Sequence, residues 1–131
     1  MFEYKSNAKI NLGLKVLNKR VDGYHNIESI FLEIDIFDTI SFKESKKYQL
    51  KGSGISMPYD STNLISKAYK IMKPQKKNNS NEFSIKINKN IPIGSGLGGG
   101  SSNAAVVLQV LNKLWNINFN NQKLIELGKK I

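Results

Sequence analysis

The sequence predicts an α+β layer: an antiparallel-rich sheet with helices on one side. Three observations carry this. Alternating apolar residues dominate the first half of the 131-residue chain, helical spacing dominates the last third, and no regular strand–helix–strand repeat links the two. Between these regimes runs Pro92-Ile93-Gly94-Ser95-Gly96-Leu97-Gly98-Gly99-Gly100-Ser101-Ser102-Asn103, which places five of the ten glycines within seven positions.

Each element has a local reason. From Ala8 to Leu17 the residues Ile10, Leu12, Leu14 and Val16 alternate with Lys9, Asn11, Gly13 and Lys15, so a strand with one buried face is expected. Val21 to His25 reads as a turn, with Gly23 able to take positive φ. Asn26 to Asp35 and Thr39 to Lys43 read as two strands split by a turn near Phe37-Asp38. A short strand over Tyr48 to Lys51 would end at Gly52-Ser53-Gly54. Asp60-Ser61-Thr62-Asn63 marks a helix start, and Leu64, Ile65, Ala68, Ile71 and Met72 keep the helical period. Pro74 and the polar run Lys76 to Asn81 then read as a surface loop. Phe83, Ile85 and Ile87 form a further strand. After the glycine segment come a buried helix to about Trp115 and a last helix from about Asn120.

Length and composition narrow the function classes. The chain is sized for one domain with a real core. It has no apolar run near 18 residues and no basic-then-apolar leader, so no membrane span or secretory signal is expected and a cytoplasmic location follows. With no cysteine, disulfides, thiol catalysis and cysteine–zinc sites are excluded. The formal net charge of +10 suggests nucleic acid, but 19 of the 20 basic residues are lysine. Arginine is the residue suited to bidentate phosphate and base contacts, so a nucleic-acid partner is not expected.

The glycine segment is the strongest chemical signal. Residues without Cβ let consecutive amides turn inward and an anion approach the backbone. The helix that follows adds unpaired amides and the positive end of its dipole. Ser101, Ser102 and Asn103 bring hydroxyl or capping groups, and Ser101 to Trp115 contains no acid. A nucleotide-phosphate cradle is the reading these features favour. Gly94, Gly96 and Gly99 fit G-x-G-x-x-G, yet the next acid is Glu126 and Pro92 interrupts the approach, unlike a dinucleotide fold. No lysine follows the last glycine, unlike a P-loop, and a helix rather than a strand comes next, unlike a protein kinase.

Elsewhere the signals are weaker. Lys9 and Asn11 point the same way from the first strand and could neutralise phosphate, although a solvated strand lysine is the simpler reading from spacing alone. His25, the sole histidine, could stack on a base together with Tyr24, or both could be plain turn residues. Asn63 reads as a helix cap. Asp22, Asp35, Asp38 and Asp60 read as turn or strand-end acids, and no metal-binding cluster is evident.

Taken together, Ala8-Lys9-Ile10-Asn11-Leu12, Asp22-Gly23-Tyr24-His25 and Pro92 to Ala105 closely resemble the galactokinase, homoserine, mevalonate and phosphomevalonate (GHMP) kinase superfamily. The segment at Tyr24 and His25 resembles the member acting on a cytidine-diphosphate-linked methylerythritol. The resemblance implies an N-terminal domain like domain 2 of ribosomal protein S5, followed by a C-terminal domain. It implies ATP-dependent phosphorylation of the 2-hydroxyl of that small molecule, in the non-mevalonate route to isoprenoid precursors, with Mg²⁺ assisting. Pro92, Ile93, Gly94, Ser95, Gly96, Leu97, Gly98, Gly99, Gly100, Ser101 and Ser102 would wrap the ATP phosphates, with Asn63 near the adenine. Lys9 would be catalytic, and Asn11, Tyr24, His25 and Lys89 would meet the substrate. The family's second catalytic group is an aspartate in a Gly-Ala-Asp-Val-Pro-like motif, and Ile131 stands where that motif would begin. Residues 1–131 are thus expected to be an N-terminal ATP-binding part with impaired activity. Other acceptors of the same superfamily, or a non-catalytic nucleotide- or RNA-binding module of S5-like fold, are the alternatives.

Overall fold

The computed structural model describes residues 1–77 and 80–131. Four strands form one sheet in the order β1-β2-β4-β3: β1 (Phe2–Lys19), β2 (His25–Ser45), β3 (Gln49–Gly54) and β4 (Glu82–Lys89). β2 pairs antiparallel with β1 and β4, whereas β3 runs parallel to β4. That parallel pair requires a crossover, supplied by α1 (Leu64–Met72), so the chain does contain one strand–helix–strand unit. α2 (Gly99–Leu114) and α3 (Asn121–Gly128) follow β4.

One core joins the sheet to the helices. Along β4, Phe83, Ile85 and Ile87 point inward with Ile40 and Phe42 of β2, and they meet Ile65, Ala68 and Met72 of α1 and Val107 and Leu111 of α2. Trp115, just past α2, fills the space between Tyr69 and Phe83, and its indole N–H donates to the Asn81 carbonyl at 2.8 Å. That bond satisfies a polar atom that burial would otherwise penalise. Of the expected surface loop Lys76 to Asn81, residues Asn78 and Asn79 lie outside the described residues.

Two expectations are corrected. The turn near Phe37-Asp38 is absent, and β2 is one 21-residue strand. Its irregularity is a bulge: Asn7 pairs with Phe37 and Ala8 with Ile34, so Asp35 and Ile36 are extra residues against β1. A bulge breaks the alternation that sequence reading relies on, and so mimics a turn. The second correction concerns β1. Its alternation is real, but Leu12, Leu14 and Val16 are 49, 58 and 60 % exposed. The outer halves of β1 and β2 form a two-stranded ribbon that no helix covers. Period two reports a strand and cannot report whether a second layer lies over it.

Candidate phosphate-binding site

The three helices begin differently. Asn63 accepts from the Ile65 amide at 2.9 Å and caps α1, and Asn120 caps α3 through the Lys123 amide at 2.9 Å. α2 starts from Gly98, in the left-handed region at φ 72°, with no side-chain cap and no acid in its first turn. Its first amides lack intrahelical acceptors, so they face an external one. The strain that a Cβ would suffer at that φ explains glycine there.

The loop before α2 is shaped by its own contacts. The Ser95 hydroxyl donates to the Pro92 carbonyl at 2.8 Å, and Gly94, Gly96 and Gly98 all take positive φ. A cavity of about 370 Å³ opens against it, lined by Met57, Pro58, Asn63 and Leu64 on one side and by residues 92–96 and 98–101 on the other, with Lys89 and Asn103 at its floor. Asn63 therefore both caps α1 and lines the cavity. Its amide is also held by the Pro58 carbonyl at 2.6 Å. A larger hollow of about 580 Å³ between α2 and α3 is lined by Ala104, Leu108, Leu124 and Ile125 and has no titratable side chain. The polar chemistry belongs to the smaller one.

Lys9 reaches the loop from β1. Its backbone amide donates to the Leu97 carbonyl at 2.9 Å, and its aliphatic stem runs so close to Gly98 that a Cβ there would stand 3.2 Å from it. The ammonium donates to Asn11 Oδ1 at 2.5 Å, Asn11 Nδ2 donates to Ser29 Oγ at 2.8 Å, and Ser29 donates to the Gly13 carbonyl at 2.8 Å. Each donor in this line has a single acceptor, which aims the lysine. Ser29 is a site residue that the sequence did not single out.

Lys89 lines the floor of the same cavity. It is 3 % exposed and ion-paired with Asp38, which is fully buried. Its ammonium lies beneath Gly99, where it supports the loop. Tyr24 and His25 stay apart from the cavity. They sit at the tip of the ribbon, where His25 pairs with Lys19, while Lys9 pairs with Glu33 eight residues further along β2. At about 3.3 Å per residue that is up to ~25 Å of strand. Tyr24 is 74 % exposed. Among the described residues no group of three or more His, Cys, Asp or Glu could hold a metal ion, and no helix is long and apolar enough to cross a membrane.

The family model for the GHMP kinases N terminal domain matches residues 63–131. The chain is 46 % identical over 127 residues to a 4-diphosphocytidyl-2-C-methyl-D-erythritol kinase from Chlorobium phaeobacteroides, covering 97 % of this chain and 43 % of that one. The corresponding kinase of Clostridioides difficile is 43 % identical, over 95 % of this chain and 42 % of that one. A crystal structure of 4-(cytidine 5'-diphospho)-2C-methyl-D-erythritol kinase superposes with a TM-score of 0.80 at 32 % identity, over 98 % of this chain and 45 % of that chain. A mevalonate kinase shares the fold alone, with a TM-score of 0.68 at 19 % identity over 99 % of this chain and 46 % of that chain. The chain spans less than half the length of the curated relatives it matches.

Proposed function

The chain belongs to the GHMP kinases, and from that premise we propose that it supplies the ATP-phosphate cradle and the catalytic lysine of a small-molecule kinase. The acceptor is the 2-hydroxyl of 4-diphosphocytidyl-2-C-methyl-D-erythritol. One observation carries the reading: of the three α-helices among the described residues only α2 starts without a side-chain cap, behind a glycine loop, with the Lys9 stem packed on Gly98 at its N-cap.

ATP supplies the γ-phosphoryl group. The protein's part is positioning and charge stabilisation, which dominate phosphoryl transfer. The loop amides and the start of α2 bind and orient the phosphates, Ser101 and Ser102 offer hydroxyls beside them, and Asn63, Met57 and Leu64 receive the base. Lys9, steered by Asn11 and Ser29, stabilises charge at the transferring group. Mg²⁺ would be held mostly by phosphate oxygens and water, as is usual for this ion. Tyr24 and His25 would hold the cytidine end of a long acceptor, at a distance from the loop. No free carboxylate lies under the loop, because Asp38 already accepts four hydrogen bonds. The base and the cover over the cleft are therefore assigned to residues other than these 131.

The test is titration of the chain with a fluorescent ATP analogue and Mg²⁺. Saturable binding is expected in the unmodified chain, and its loss in Gly98→Val, where a β-branched residue at positive φ meets Lys9. Binding indifferent to that substitution overturns the cradle. Incubation with ATP and the acceptor should give at most trace turnover, since loss of a general base costs about 10²–10⁴-fold. Turnover at the level of an intact relative refutes the assignment of the base elsewhere.

A further inference from the structure

We propose that Asp38 is a positioning residue for the phosphate loop, gripping both of its feet with a single carboxylate. The proposal rests on the loop being the ATP-phosphate site. Asp38 Oδ1 accepts the amides of Asn90 at 2.7 Å and Ile91 at 2.8 Å, where the chain leaves β4 and enters the loop. Its Oδ2 accepts from Lys89 Nζ and from Asn103 Nδ2, the latter at 2.9 Å, in the first turns of α2. Asn103 also donates to Ser6 Oγ at 2.9 Å, and Ser6 donates to Ser102 Oγ at 3.0 Å, so β1 joins the same knot.

The knot is buried: Asp38 is 0 %, Ser6 1 %, Lys89 3 % and Asn103 3 % exposed, and only Lys89 and Asn103 reach the cavity floor. A saturated buried network is stiff, whereas a partly broken one is costly. Between the two feet, residues 92 to 98 are tied by the Ser95 hydroxyl to the Pro92 carbonyl and by the Leu97 carbonyl to the Lys9 amide, bonds that close over the span the feet define. Their curvature is set by how far apart the feet are held. Gly99 belongs to the same device: a Cβ there would stand 2.7 Å from Ile91 Cγ2 and 2.9 Å from the Lys89 ammonium, so only glycine lets α2 settle onto this support.

The charges make the proposal sharp. The Lys89 ammonium is matched by the Asp38 carboxylate, so the pair offers a bound phosphate little net field. If the pair acted by charge, removing the carboxylate would leave an ammonium under the loop and tighten anion binding. If it acts by geometry, removing the carboxylate loosens ATP even though a negative charge has gone.

The experiment compares Asp38→Asn, the double variant Asp38→Asn with Lys89→Gln, and Asn103→Ser, each checked by thermal melting and titrated with the ATP analogue and with inorganic triphosphate. The double variant removes the buried pair together, an exchange that folded proteins often tolerate. All variants that fold should bind both probes more weakly, by about tenfold or more for the Asp38 variants, since misplacing groups by an ångström is enough for such losses. A folded double variant with unmodified affinity makes the knot merely structural and overturns the proposal, as does tighter binding by Asp38→Asn. Should neither Asp38 variant fold, Asn103→Ser, which cuts the links from α2 to Asp38 and Ser6 and leaves the buried ion pair intact, decides in the same sense. If the unmodified chain binds neither probe, or Gly98→Val binds normally, the reading of the loop fails instead.

Discussion

The inner and outer halves of the β1–β2 pair are built from the same kind of sequence and end in opposite environments. In the inner half, Ile40 and Phe42 are completely buried under α1 and α2. In the outer half, Ile30 is 67 % and Phe31 59 % exposed, and Val16 and Leu14 are much the same. The difference lies in the second layer. Helices cover the sheet as far as the glycine loop and stop there, and the bulge at Asp35 and Ile36 sits at that border. The loop and Asp38 stand on the covered side, where Asp38 alone has four partners, and Lys9 lies just past the bulge, tied to the loop through its backbone amide. Tyr24 and His25 stand on the bare side, held by one turn: the Tyr24 amide donates to Asp22, and Arg20 pairs with Asp22 at 2.6 Å. This chain therefore pre-organises the phosphate end of its candidate site far better than the opposite end.

Paired substitutions can break that contrast. Ile87→Ala, at a fully buried position, should cost about 2–5 kcal/mol in urea unfolding, whereas Ile30→Ala on the ribbon should stay within about 0.5 kcal/mol. Equal costs would mean that the ribbon is packed after all. Next in size, Asn63→Ala removes the α1 cap and should cost about 1 kcal/mol while also weakening nucleotide binding. Tyr24→Ala should leave both stability and ATP affinity alone. An effect of Tyr24→Ala on ATP affinity would join the two ends of the site. A similar loss of about 1 kcal/mol is expected for Ser29→Ala, which cuts the line of hydrogen bonds behind Lys9, and it should reduce phosphoryl transfer more than ATP binding.

The smallest effect is one of pH. Burial pushes the Glu82 carboxyl up, but hydrogen bonds from Tyr69 and Lys73 and the charges of Lys73 and Lys76 outweigh it, leaving the group below its usual 4.5. A lowered folded-state value means that the stabilisation is complete above the unfolded value and is lost as pH falls through the folded one. Acid titration monitored by melting should therefore show a decline below about pH 4.5 that Glu82→Gln flattens. An unchanged acid limb in that variant would assign the decline to other carboxylates.

Much of the covered half was legible beforehand. The capping of α1 and α3 by asparagine, the alternation of β4 and the glycine segment ahead of α2 all follow from short-range rules, and each lies where those rules put it. Asp38 was misread as a turn acid, although it shares its parity with Ile40 and Phe42, and that inward register was the available signal. The burial of Lys89 was not foreseen, because a buried lysine is unusual until its partner, 51 positions away, is known. Ser6 and Ser29 had no local mark at all.

The residues alone marked the helices, most of the strands, the glycine entry to α2 and the family, because backbone freedom, capping and periodicity act over a few positions. Only the tertiary structure decided which apolar face is covered, which carboxylate is buried and which lysine pairs with it beneath the loop. Burial and charge pairing are set by residues that meet across the sheet, and distance along the chain carries no record of that meeting.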